Sequence, residues 1–243
     1  MLTKSQIKYI KSLHQKKFRE TEGAFIVEGE KMVQELLQSE QEIVLIAAIP
    51  SWKGYSGPLL YQVDESVLDQ ISALQTPNKV LAVVKKQTTQ PDYAADRVLL
   101  FLDNIKDPGN LGTLIRSADW FGLHHIFISP TSVEEYNPKT VQATMGSFFR
   151  TQVHRMSLEE LLQHSGVKNV YGATLHGQNV RDLTLKNPSV LVIGSESHGI
   201  SEENIPFLSE QILIPRIGTA ESLNASVAGS ILLYEFAMQL TLS

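Results

Sequence analysis

Five short, continuously apolar runs in the C-terminal three-fifths of the chain leave few folds open. VLLFL (98–102), HIFIS (125–129), NVYGA (169–173), VLVIG (190–194) and QILIP (211–215) are of strand length and lack the polar alternation of a half-exposed strand, which marks strands covered on both faces. Helical patterns lie between and after them, at about 110–121, at VQATMGSF (141–148), from Leu158 to His164 and over 222–240. Strands alternating with helices predict a parallel sheet with helices on both sides. The first ninety residues predict a smaller α/β unit. Ile7, Ile10 and Leu13 fall at helical spacing, AFIV (24–27) and IVLIAAI (43–49) read as strands, and a helix carries Met32, Val33, Leu36 and Leu37. LLYQV and VLAVV (80–84) add strands, and Asp64 is placed to cap a helix around Val67, Leu68, Ile71 and Leu74. The stretch KKQTTQPDYAADR (85–97) is polar and aperiodic. It predicts a boundary between two domains, 1–90 and 96–243.

Composition removes several chemistries. There is no cysteine among the 243 residues, so disulfides, cysteine nucleophiles and thiolate metal sites are excluded. His14, His124, His125, His154, His164, His176 and His198 show no H-x-x-x-H spacing, and no metal is expected. No apolar run approaches the ~20 residues of a membrane helix, and MLTKSQIKYIKSLHQKKFRE has no hydrophobic signal region. A soluble, non-secreted, cytoplasmic chain is the expectation, with no membrane partner. The net charge of −5 averages over faces. Residues 1–19 carry Lys4, Lys8, Lys11, Lys16, Lys17 and Arg19 without an acid. That segment is either a phosphate-facing surface or a solvated helix face.

In open parallel sheets ligands bind beyond the carboxyl ends of the strands. Three polar, glycine-containing segments follow strands here: DNIKDPGNLGTLIR (103–116), GSESHG (194–199) and PRIGTAESLN (215–224). In the first, Asn110 is a possible helix cap. Arg116, two turns on, is either a functional cation or an arginine paired with Asp119 or left in solvent. The second matches no P-loop, no G-x-S-x-G elbow and no G-x-G-x-x-G, and by itself is a tight turn. In the third, Ser222 is a candidate cap for the last helix. Asn224, an amide in the first turn of an otherwise apolar helix, needs a partner. Ala225, Ala228 and Gly229 give that helix a small-residue face for packing on the sheet or on a second subunit.

Taken together and in order, LDNIKDPGNLGTLIRSADWFG (102–122), VLVIGSESHGIS (190–201) and ILIPRIGTAESLNASVAGSILLYEF (212–236) resemble the three signature motifs of the SpoU (TrmH-like) ribose methyltransferases of the SPOUT superfamily. YNPKTVQATMGSFFR (136–150) resembles a further family segment, and KSLHQKKFRETEGAFIVEGEKMVQELL (11–37) resembles an attached RNA-gripping domain. The resemblance implies a parallel-sheet SPOUT domain with a deep trefoil knot, preceded by a small α/β ribosomal-protein-like domain. It implies a homodimer and S-adenosylmethionine as methyl donor. The acceptor would be a ribose 2'-hydroxyl of RNA, ribosomal before transfer RNA. Carried over by motif position, Gly194, Ile214 and Leu223 would contact the donor, largely through backbone groups. Asn110, Arg116, Glu196, Ser222 and Asn224 would form the polar catalytic site. Lys11, Lys16, Lys17 and Arg19 would meet RNA. Ala225 stands where valine is common in the family. The alternatives are a transfer RNA 2'-O-methyltransferase and a non-catalytic RNA-binding protein.

The reaction implied is in-line displacement at a methyl carbon. A guanidinium has a pKa above ~12 and is a poor base. Arg116 is therefore expected to clamp a phosphate and the developing alkoxide, with the proton leaving to phosphate or water. Asn110, Ser222 and Asn224 would position ribose or donor, and Glu196 would orient its loop.

Overall fold

A computed structural model describes residues 1–241 of the chain. It divides into two compact units, residues 1–89 with 134–149, and residues 90–133 with 150 onward.

The first unit contains helices α1 (Lys4–Ser12), α2 (Lys16–Glu22), α3 (Glu30–Leu37) and α4 (Glu65–Ile71), and strands β1 (Ala24–Glu28), β2 (Ile43–Ala48), β3 (Leu60–Gln62) and β4 (Val80–Lys85). A helix at Pro138–Ala143, numbered α6 in chain order, belongs to the same unit. The sheet order is β1-β4-β2-β3, with β4 antiparallel to both neighbours and β3 parallel to β2. The period-two geometry of a strand splits its side chains between two cores. Phe25, Val27, Ile46 and Val84 pack with Met32, Leu36, Trp52, Val141 and Phe148. Ile26, Leu45, Ala47 and Val83 pack with Ile10, Leu13, Leu68 and Ile71. Both faces are covered, so the sequence shows apolar runs and no alternation.

The unit also holds a buried ion cluster. Arg19 is 2% exposed. Its Nε lies 3.2 Å from both carboxylate oxygens of Glu134, and another guanidinium nitrogen donates to the carbonyls of Leu13 and His14 at 2.8 and 2.9 Å. The Lys86 Nζ lies 3.2 Å from Glu134. Burial pushes the Glu134 carboxyl up, but the hydrogen bonds and charges of Arg19 and Lys86 outweigh it and hold it below the usual carboxylate range.

The second unit contains β5 (Val98–Leu102), α5 (Pro108–Trp120), β6 (His125–Ile128), β7 (Gln152–Arg155), α7 (Leu158–Ser165), β8 (Asn169–Asn179), β9 (Ser189–Ile193), β10 (Glu210–Leu213) and α8 (Ala225–Thr241). Its six strands are all parallel, in the order β10-β8-β9-β5-β6-β7, so all their carboxyl ends lie on one edge. One face packs Leu100, Leu102, Leu191 and Ile193 against Leu111, Leu114, Leu232 and Phe236 of α5 and α8. The other packs Leu99, Phe101 and Val192 against Leu158 and Leu161 of α7. A Cβ on Gly229 would stand 2.4 Å from Leu114, so the small-residue face of α8 lets it close on α5.

Three of the expected elements have other bounds than the sequence suggested. The helix expected over 141–148 ends at Ala143, because Met145 and Gly146 take φ of +52° and +98° before a short 3₁₀ turn at Ser147–Phe149. The last helix begins at Ala225, not 222. Strand β8 runs six residues beyond NVYGA. Its register against β10 jumps from Gly172↔Gln211 to Gln178↔Ile212, so residues 173–177 are looped out of the pairing. No helix among the described residues is long and apolar enough to cross a membrane.

Candidate active site

The loop after β5 sets Asn110. Asp107, not Asn110, caps α5, accepting from the Asn110 backbone N–H at 2.9 Å, with Pro108 at the first helical position. The Asn110 side chain is thereby left for other partners. Its Nδ2 donates to a carboxylate oxygen of Glu196, and its Oδ1 accepts from Asn224 Nδ2 at 3.0 Å. Asn224 in turn caps α8. Its Oδ1 accepts from the backbone N–H groups of Ser226 and Val227 at 2.9 and 3.3 Å and from the Ser226 hydroxyl. This relay joins the three loops that follow β5, β9 and β10 through three of the residues expected in the polar site.

The loop after β9 is a closed turn. Ser195 and Gly199 exchange backbone hydrogen bonds at 3.0 and 2.9 Å. Gly194 precedes it with no room for a side chain, since a Cβ would stand 2.1 Å from the Gly199 carbonyl carbon and 2.3 Å from the Ile200 nitrogen. Asp103, 1% exposed at the end of β5, pins the far side of this loop. Its carboxylate accepts from the backbone N–H and the hydroxyl of Ser201, both at 2.7 Å.

Beside the relay lies a cavity of about 750 Å³, within the range of small-molecule sites. Ile193, Ile212, Ile214, Ala228 and Leu232 form its apolar wall, and Gly194, Glu196, Ser222 and Leu223 also line it. Thr174, from the looped-out part of β8, lines it too. Its Oγ1 is buried without a hydrogen-bond partner, one of two such side-chain atoms among the described residues.

Arg116 is exposed on α5. The pairing with Asp119 that the sequence left open does not form. Asp119 is held by Arg150 through Nε and a terminal nitrogen at 3.0 and 2.9 Å, and Arg116 has no hydrogen bond or ion pair among the described residues. Ser222 is exposed and does not cap α8, a task Asn224 performs. Lys11, Lys16 and Lys17 are exposed, with Lys16 3.6 Å from Glu20. Arg19 is not at the surface where an RNA contact would put it. Its guanidinium is consumed by Glu134 and two carbonyls. Sequence reasoning missed Asp103 and Thr174. An acid directly after an apolar run was a faint signal for the first, and nothing marked the second.

The model of the SpoU rRNA Methylase family matches residues 97–234, more than half of the chain. The chain belongs to the SpoU rRNA methylase family. A second model, the MRM3-like substrate binding domain, matches residues 4–82. The 23S rRNA (guanosine(2553)-2'-O)-methyltransferase RlmP of Bacillus subtilis is 33% identical over 238 residues, 94% of each chain. Among solved structures, a TrmH-family protein from Porphyromonas gingivalis superposes with a TM-score of 0.86 at 34% identity, covering 97% of this chain and 98% of that one. An AdoMet-bound rRNA methyltransferase from Sinorhizobium meliloti does so with a TM-score of 0.87 at 28% identity, covering 99% and 97%. This SpoU-family chain offers features that fit such a donor. Gly194 lets the turn beside the cavity close tightly, the wall is apolar, and the Thr174 hydroxyl that lines it is buried without a partner. Among the described residues no group of three His, Asp or Glu could hold a metal ion.

Proposed function

We propose that this chain methylates a ribose 2'-hydroxyl of ribosomal RNA, using S-adenosylmethionine. The observation that carries the reading is the Asn224–Asn110–Glu196 relay beside the cavity, with Arg116 left without a partner. Bound S-adenosylmethionine supplies an electrophilic methyl carbon on a sulfonium. Gly194, Ile214 and Leu223 hold it, chiefly through backbone. Asn110 is fixed at both ends of its amide, so its orientation is set before substrate arrives. Such preorganisation is where alignment gains arise, up to ~7–11 kcal/mol in ideal cases. Glu196, tied to Asn110, orients the turn between Ser195 and Gly199. Ser222 and Asn224 position ribose or donor. Arg116 clamps the target phosphate and the developing alkoxide, and the 2'-proton leaves to phosphate or water.

Lys11, Lys16 and Lys17 supply phosphate contacts from the first unit, and Arg19 ties down the chain between them through the Leu13 and His14 carbonyls. A homodimer belongs to the same reading. Trp120 is 84% exposed, and Val227 and Tyr234 are each 47% exposed, on helices α5 and α8 that pack together, and an apolar face of this kind favours a partner. The family's trefoil knot belongs to the same reading, supported by the backbone of Gly177 lying so close to that of the sequence-distant Gln211 and Ile212 that no Cβ fits between them.

Labelled methyl transfer from S-adenosylmethionine to unmodified ribosomal and transfer RNA pools tests the function, with the product nucleoside identified. A 2'-O-methylated nucleoside from ribosomal RNA is expected. Label in transfer RNA alone would change the substrate class. No label in either pool, from folded protein, would leave an RNA-binding protein.

A further inference from the structure

Three neighbouring strands of the second unit end at one level. Leu102, the last residue of β5, is in register with Ile128 of β6, and Ile128 with Arg155, the last residue of β7. The turn after β6, residues 129–133, therefore starts between the loop that leads to Asn110 and the Arg155 side chain. Arg155 is exposed, yet its guanidinium is engaged by that turn. One terminal nitrogen donates to the carbonyls of Ser129, Pro130 and Ser132 at 3.1, 3.1 and 2.9 Å, and the other to that of Val133 at 2.9 Å. Four carbonyl oxygens brought to one place repel one another unless a cation sits among them, and a planar fork meets them in a way that an ammonium cannot. The same turn holds the loop after β5. The Ser129 and Ser132 hydroxyls accept from the N–H groups of Asn104 and Ile105 at 2.8 and 3.1 Å, and the Val133 N–H donates to the Ile105 carbonyl at 2.8 Å. The Lys106 Nζ donates to the Thr131 carbonyl at 2.6 Å. These bonds surround Asn104, whose φ is +57°, a left-handed conformation that a residue other than glycine keeps where its surroundings impose it. Shortly after, Asp107 caps the helix that carries Asn110 and Arg116.

We propose that Arg155 is a positioning residue for methyl transfer: by gathering the carbonyls of residues 129–133 it sets the turn whose hydroxyls fix the loop after β5, and through that loop the placement of Asn110 and Arg116. The inference rests on the methyl-transfer reading above. Arg155 lies outside the three sequence motifs. Among the described residues, neither its turn nor the stretch 103–107 lines the donor cavity. Its effect therefore falls on alignment of the acceptor and not on donor binding.

The test compares Arg155→Ala and Arg155→Lys with wild type in four measurements: methyl transfer at saturating RNA and donor, calorimetric titration with S-adenosylhomocysteine, RNA binding across salt concentrations, and exchange of the Asn104 and Ile105 amide hydrogens followed by NMR. Both variants are expected to lose between about tenfold and a hundredfold in kcat, the scale of a small misplacement of reacting groups. Affinities for S-adenosylhomocysteine and RNA should stay within about twofold, with an unchanged salt slope. Both amides should exchange at least about tenfold faster. Normal turnover of R155A below its melting temperature would make Arg155 a purely stabilising residue and overturn the proposal. Wild-type turnover of R155K would overturn it too, since charge alone would then suffice. Weaker RNA binding with a shallower salt slope would make Arg155 a phosphate contact, and loss of S-adenosylhomocysteine binding would place its effect in the cavity. Either result replaces the positioning role. Unchanged exchange of the two amides defeats the clamp itself. That measurement needs no substrate, so wild-type protein that transfers no methyl would sink the methyl-transfer reading, while exchange still decides whether Arg155 holds the loop.

Discussion

Asn224 does two jobs with one amide. Its oxygen terminates α8 and its nitrogen reaches Asn110. Asn224→Ala should therefore cost about 1 kcal/mol of stability as a lost cap and, separately, most of the methyl transfer. Asn224→Ser, which can cap but cannot bridge, should recover the melting temperature and not the turnover. Arg116 stands apart from that relay. Arg116→Ala should abolish turnover and leave S-adenosylhomocysteine affinity within about twofold, and a large loss of affinity with intact folding would move Arg116 out of the chemistry. A different residue contributes to the acid response. His154 and His125 are each 7% exposed, with Nε2 and Nδ1 2.9 Å apart. Burial and the neighbouring ring push His154 down to about 4. An unfolded histidine titrates near 6.5, so between those values the unfolded chain takes a proton that the folded chain refuses. The His154 contribution is thus fully present above pH 6.5 and is lost as pH falls towards 4, by up to about 3 kcal/mol. Urea melts at pH 7.5 and 5 should show this loss in wild type and a smaller one in His154→Phe. At this scale the sequence motifs named side chains that the fold brings together, as for Asn110 and Glu196. The sequence was not readable where a role depends on what arrives from elsewhere in the chain. Arg19 has the composition of an RNA contact and is instead buried because Glu134, 115 positions away, meets it.

At the scale of elements, the parallel strands of the second unit were legible because burial on both faces leaves runs of apolar residues. Helix α2 was not, since KKFRETE offers a single apolar side chain. Strand β7 was missed for a related reason, as QVHR is a short, largely polar edge strand. The excursion of β8 escaped notice because the apolar run stops at Ala173, so Gly177, a residue that inside a strand marks an irregular pairing, lay outside any expected strand. Whether a strand keeps its register depends on the neighbour it pairs with. The loop after β9 gives a sharp prediction at this scale. Gly194→Ala puts a methyl group into the backbone of Gly199 and Ile200, which cannot yield as a flexible side chain can. Donor binding should fall by at least about tenfold, with a smaller change in global stability because the turn is a surface element. Near-normal titration of G194A would show that this loop opens without cost.

For the molecule as a whole, the two charge clusters of the first unit have opposite sensitivities. Lys11, Lys16 and Lys17 face solvent, so replacing all three with Gln should weaken RNA binding most at low salt and flatten the slope of log affinity against log salt by about 2–3. An unchanged slope would mean that RNA lies elsewhere. Glu134→Gln strips a charge from a buried cluster, and removing one partner of such a pair costs about 3–5 kcal/mol. Its signature is a lower melting temperature that added salt does not mimic. Glu134 and Phe148 come from the short stretch 134–149, which threads back into the first unit between two strands of the other. Each unit is thus written in two separated stretches of the gene. A recombination event that exchanged only the first ninety codons would deliver a body without the acid that neutralises Arg19 and without the aromatic ring that closes its core. Such a body could not be traded between lineages as a cassette. It would have to diverge in step with a stretch of code some fifty residues downstream.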